Sequence, residues 1–143
     1  MRRMSTAIIL ALLASVSSWN TPCSQTQVQM GSAPEQGYAI DRMTVSSASE
    51  IQFVREWHHD SACADAAFQV DSEKGILKLG SAMSSVFGAQ NGETVVEADF
   101  SLPGKTELGA IGISADHQTV RVARGFGQSR NTMLSLIGYR AQK

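Results

Sequence analysis

Between Asn91 and Gly104 the chain reads turn, alternating strand, turn, and no other stretch constrains its fold as tightly. Asn91-Gly92 is the strongest short hairpin signal, because both residues tolerate the positive φ of a type I′ turn. Through Glu93–Leu102, Val96, Ala98, Phe100 and Leu102 face one way, and Val95, Glu97, Asp99 and Ser101 the other. Pro103-Gly104 then breaks the chain. A strand with one apolar face needs partners on both edges, so the remaining sequence must supply a sheet.

It does so in short pieces. Tyr38–Val45 and Ile51–Trp57 are strand candidates, with Ile51, Phe53 and Trp57 sharing a parity, although the second also fits a short helix. Ala66–Val70 and Gly75–Leu79 follow, with Asp71–Lys74 read as a turn. Leu108–Ile113 puts Ile111 and Ile113 on one face, and its small residues point to close backbone approach or a bend. After the Ala115-Asp116-His117 turn, Gln118–Arg124 places Val120 and Val122 inward and Arg121 outward. The Gly125-Phe126-Gly127 loop leads to a last apolar strand over Thr132–Tyr139, a segment that also fits helical spacing. About eight short strands joined by Gly, Pro, Asn and Asp turns predict an all-β domain, an antiparallel β-sandwich (jelly-roll-like) or flattened barrel. An α+β domain with one helix is the alternative.

The amino terminus has a different grammar. Arg2-Arg3 precedes the ten-residue apolar run Ala7–Val16, and Ser15, Ser17 and Ser18 follow, which are the parts of a secretory signal peptide. Ten helical residues rise about 15 Å, half the roughly 30 Å of a bilayer's hydrocarbon layer, so a stable membrane span is not expected. The alternative is a buried amino-terminal helix. The domain reading is therefore 1–18 signal peptide, 19–37 polar linker or draped arm, and 38–143 a single β-rich domain. Secretion or periplasmic export follows. The only cysteines, Cys23 and Cys63, then read as one disulfide, with lipidation of Cys23 or a free Cys63 as the other possibilities.

The chain is nearly neutral overall, at net −1, but unevenly so. Residues 35–100 hold eleven acids against four bases; residues 101–143 hold six bases against Glu107 and Asp116. Such asymmetry marks either a charged partner or two halves that neutralise each other. The basic part is too sparse, and too poor in interleaved aromatics, for nucleic acid.

Phe53 and Trp57, the strand Gly75–Leu79, the segment Val95–Phe100 and the Gly-rich strand Leu108–Ile113 follow the order of features in concanavalin A-like and laminin-G-like β-sandwiches. Residues 51–124 resemble that family at the level of fold, over about half the chain. The resemblance implies a sandwich and leaves function open.

Candidate chemistry is sparse. Glu97 and Asp99 share a strand face about 6.6 Å apart, within the range of a glycosidase carboxylate pair. They open an E-x-D-x-x-E pattern like that of jelly-roll β-glucanases, but Ser101, Leu102 and Pro103 stand where its third acid belongs. His58 and Asp60, with His59 between them and Asp65 near, offer two metal ligands. A zinc site takes three or four, and His117 lies in a distant turn, so no metal is expected. No nucleophile motif or phosphate-binding glycine pattern occurs, and no cofactor is expected. His58, His59, Asp60, Arg121 and Arg124 remain as candidate binding residues. The expectation is an exported, non-catalytic module that binds glycan or protein through a sheet face or its loops. Alternatives are a secreted inhibitor or immunity-type protein acting on a partner enzyme and, third, a glycosidase built on Glu97 and Asp99.

Overall fold

The computed structural model describes residues 5–30, 33–83, 88–125 and 127–142, with residues 27–30 and 33–36 described through their backbone alone. One helix, α1 (Thr6–Ala14), precedes nine strands: β1 (Ser18–Asn20), β2 (Ser24–Met30), β3 (Ala33–Val45), β4 (Glu50–His58), β5 (Gln69–Met83), β6 (Thr94–Leu102), β7 (Lys105–Ile113), β8 (Thr119–Ala123) and β9 (Tyr139–Gln142). All pairings are antiparallel, and from β2 to β9 each strand pairs with its sequence neighbour. β1 then joins both ends, pairing Trp19 with Ala141 of β9 and with Met43 of β3. Eight strands close into a meander barrel, while β2 extends outward as a hairpin on the first half of β3. This meets the flattened-barrel form of the expectation. The sandwich resemblance holds only as far as all-β antiparallel structure, since the strand order is sequential and the sheet closes on itself.

Alternation decides what lies inside. Val96, Ala98, Phe100 and Leu102 are buried in the barrel with Ile111, Ile113, Val120 and Val122, as their parity requires. Phe53 and Phe100 meet edge to face with ring centroids 5.6 Å apart. Two inward positions admit only glycine, because a Cβ at Gly75 would overlap the carbonyl oxygen of Ser101, and one at Gly109 that of Ala123. These are the places where the closing sheet bends hardest.

The interior is graded along the barrel axis. Towards one end it is apolar, with Met43, Val45, Ile51 and Leu77, and α1 lays the fully buried Ile9 and Leu13 on this end. Ser5 caps the helix, its hydroxyl accepting from the Ile8 amide, and Trp19 Nε1 donates to the Leu13 carbonyl at 2.9 Å. The segment read as a signal peptide is thus helical and packed, with Ile8 still 57% exposed. Its basic start, Met1–Met4, lies outside the described residues. Among the described residues no helix is long and apolar enough to cross a membrane.

Four local expectations need correction. Asp71–Lys74 is no turn but part of the fifteen-residue β5, whose Glu73 faces Phe53 across the sheet. A charged residue pointing into the barrel breaks the apolar alternation by which strands are recognised. Thr132–Tyr139 is a loop over the outer wall, in which Leu134 alone of its large aliphatic residues is buried; only Tyr139 belongs to the last strand. The arm 19–37 is mostly strand: β1 closes the barrel with Trp19 buried in the core, and β2 pairs with the first half of β3 outside it; Gly31 and Ser32 lie outside the described residues. At Asn91-Gly92 only Gly92 takes positive φ, 78°, so the turn is not type I′ and closes a longer β5–β6 loop. The tight two-residue hairpin is instead Pro103-Gly104, where Leu102 faces Lys105 and Gly104 has φ 74°, the Pro-Gly pattern of a type II turn. Phe126 lies outside the described residues.

Candidate functional site in the barrel mouth

At the end opposite α1 the same inward parity turns ionic. Asp41 follows Met43 on β3, Arg55 follows Phe53 on β4, and Glu73, Glu107 and Arg124 continue β5, β7 and β8. Arg55 grips Asp41 through Nε and Nη2 at 2.6 and 2.8 Å. Arg124 grips Glu107 through Nε and Nη2 at 2.7 and 3.1 Å, and its Nη2 also reaches Glu73 at 2.5 Å. Lys105 Nζ stands 3.0 Å from Glu107 and 3.5 Å from Glu73. The Arg124 guanidinium lies 4.5 Å above the Phe53 ring, a cation–π contact that fixes its plane where apolar core gives way to charge.

These groups line an open cavity of about 600 Å³, flanked by Trp57 and Tyr139. A second lobe of about 460 Å³ shares Asp41, Arg55, Arg124 and Tyr139 and runs out to Met133 and Ile137 on the rim. Burial, reinforced by the Asp41 charge, pushes the Tyr139 phenol up to about 12. The Arg124 pairing holds the Glu73 carboxyl below its usual range despite partial burial.

The candidate residues read from sequence fall in four places. Arg124 is in the mouth, with Asp41, Arg55, Glu73, Lys105, Glu107 and Tyr139, none of which the sequence singled out. The signal was there in Glu73 and Glu107, acids at positions whose parity points inward, but it becomes visible only once the strands are known. Arg121 lies on the outer wall, buried beneath two loops; Nε and Nη2 donate to Glu93 at 2.9 and 2.6 Å, and both side chains are about 95% covered. Glu97 and Asp99 also face outward, and Arg130 sits between them, its Nη1 2.8 Å from Asp99 and its Nη2 3.7 Å from Glu97.

His58, His59 and Asp60 occupy the β4–β5 corner. The His58 ring is buried, with Nδ1 2.9 Å from both the carboxylate and the carbonyl of Asp65, and Nε2 3.1 Å from Glu56. Burial alone would lower its pKa, but these hydrogen bonds outweigh burial and raise it. Asp60 accepts from the Ala64 and Asp65 amides, which hold its carboxyl down to about 2. His59 is exposed and stacks on Phe68, centroids 4.2 Å apart. Cys63 closes the corner through its disulfide to Cys23, with Cα atoms 5.9 Å apart.

Part of the uneven charge of the two halves is paired inside the molecule. Arg121–Glu93, Arg124–Glu73 and Arg130–Asp99 each join the basic carboxy-terminal part to the acidic middle. Comparison with protein families, with curated proteins and with solved structures gives no match to this chain.

Proposed function

We propose that the protein is an exported, non-catalytic binding module that takes a glycan in the mouth of its barrel. The observation that carries this reading is the 600 Å³ cavity in which paired charges stand beside aromatic faces. Each cation in that cavity is already paired, two of them bidentately. An ionic ligand would have to break such a pair and leave a half-buried charge uncompensated, at a cost of several kcal/mol. Sugar hydroxyls need no such exchange, because they donate to free carboxylate lone pairs and accept from free guanidinium N–H groups. Trp57 and Tyr139 supply the apolar surface against which a pyranose ring stacks. Arg130, seated on Glu97 and Asp99, counts against the glycosidase alternative. Export rests on the signal-like start and agrees with the Cys23–Cys63 disulfide, a bond kept in oxidising compartments.

One observation favours a protein ligand instead, as an inhibitor or immunity-type protein would have. Met133 and Ile137 line the outer lobe and Leu136 belongs to the same loop, at 67%, 54% and 94% exposure, apolar surface of the kind that seats against a partner. The internal pairing between the charged halves weakens the electrostatic argument for that reading but leaves this apolar one.

A glycan array followed by titration calorimetry separates the two. Saturable glycan binding, lost in Trp57→Ala and in Glu73→Gln while thermal unfolding stays cooperative, is the expected result. No glycan binding, with a protein partner captured by the wild type and lost in Leu136→Ser, would replace it with the second reading.

A further inference from the structure

The β4–β5 corner carries a donor set independent of the mouth. His58 lies on the opposite strand face from Trp57, so its ring is on the outer wall. Its Nδ1 lies 2.9 Å from Asp65 Oδ1, and one ligand atom from each of His58, Asp60 and Asp65 lies within 4.8 Å of the others. We infer that this corner is a binding site for a zinc-type divalent cation, held by His58 Nδ1, Asp60 and Asp65, with solvent completing the coordination.

The arrangement around the donors carries the inference further than their proximity. The second ring nitrogen of His58 points at Glu56 Oε1, and Arg42 holds Glu56 through Nε and Nη2 at 3.2 and 3.3 Å. A carboxylate on the far nitrogen fixes the tautomer and orientation of a metal-bound histidine, as outer-shell partners of zinc sites do. The histidine is buried and hydrogen-bonded through both nitrogens, whereas Asp60 is half-buried and Asp65 exposed, which leaves an entry path and an open coordination position. Zinc bonds of about 2.1 Å in a tetrahedron set donor separations near 3.4 Å, so small rotations of the two aspartates complete the site. A nitrogen donor among the ligands selects a borderline cation over calcium or magnesium, which take oxygen. In the metal-free protein both ring nitrogens face oxygens, Nδ1 those of Asp65 and Nε2 that of Glu56. Binding turns Nδ1 from Asp65 to the cation, while Nε2 stays on Glu56.

The test is calorimetric titration of the chelator-treated, disulfide-intact protein with zinc chloride, in the wild type, Asp60→Asn and Asp65→Asn. The expected result is one site per chain, weakened about tenfold or more in each variant, in line with the loss of one ligand. Millimolar calcium or magnesium should fail to compete. Nitrogen-15 spectra should show the His58 Nδ1 resonance move on zinc addition while Nε2 keeps its proton. Asp65→Asn alters an exposed side chain, so the fold should survive it, and its thermal midpoint without metal checks this. No saturable binding would overturn the site, as would wild-type affinity in both variants or displacement by calcium.

Discussion

Glu93 and Arg121 are the most deeply buried ion pair among the described residues, and the fold depends on them asymmetrically. Removing one partner strands the other charge. Glu93→Ala should therefore cost about 3–5 kcal/mol, read as a fall in the urea midpoint. Burial opposes ionisation of Glu93, but the Arg121 pairing outweighs it and holds the carboxyl below its ordinary 4.5. A carboxyl depressed in the folded state stabilises fully above its unfolded pKa, and the contribution disappears as pH falls through the folded one. The wild type should lose thermal stability in that acid window, and Glu93→Ala should lose less. At the other extreme, Tyr139 ionises only near 12 when folded but near 10 when unfolded. Stability should fall as pH rises between these values, with the Tyr139 phenolate signal appearing in the upper part of that range. A Tyr139 that ionised near 10 in the folded protein would contradict its place against the mouth.

At the scale of elements, closure of the sheet and anchoring of its ends carry the structure. The disulfide fastens the β1–β2 connection to the β4–β5 corner across 40 residues. Its loss in Cys63→Ser should lower stability by about 4 kcal/mol on the chain-entropy account, measured by denaturant unfolding against the oxidised wild type. Gly109 faces the Ala123 carbonyl too closely for any side chain, so Gly109→Ala should cost about 1–3 kcal/mol or more, while the exposed Gly127 should accept alanine with little change. α1 has no polar face. Its inner side covers the apolar barrel end, yet Ile8 is left in water, an arrangement unlike a permanent surface helix. Processing near Ser18 would remove it and leave Trp19 without its Leu13 partner. Tryptophan emission of the processed chain should then lie to the red of a cleavage-blocked form. Identical spectra, with an intact mass that retains residues 1–18, would instead make α1 a lasting stopper.

Across the whole molecule, what was legible in the sequence was whatever depends on near neighbours. Alternation at Glu93–Leu102 and Val120–Val122, the break at Pro103-Gly104 and the pairing of the only two cysteines follow from period, turn chemistry and composition, and all stand in the fold. Closure through β1, the unbroken run of β5 and the loop at Thr132–Gly138 were decided by tertiary structure, because each depends on which edge remains free for pairing. The mouth was decided in the same way. Asp41, Arg55, Glu73, Glu107 and Arg124 are scattered over more than eighty positions and come to line one cavity only when the barrel brings their inward faces together. In isolation each looks like a solvated surface charge, since hydropathy records what a residue is and not which side of a closed sheet it faces. The sequence by itself determined the class of the protein, its alternating faces and its covalent staple. Only the tertiary structure decided that one end of the barrel is apolar and the other ionic, because that depends on the register of strands far apart in the chain.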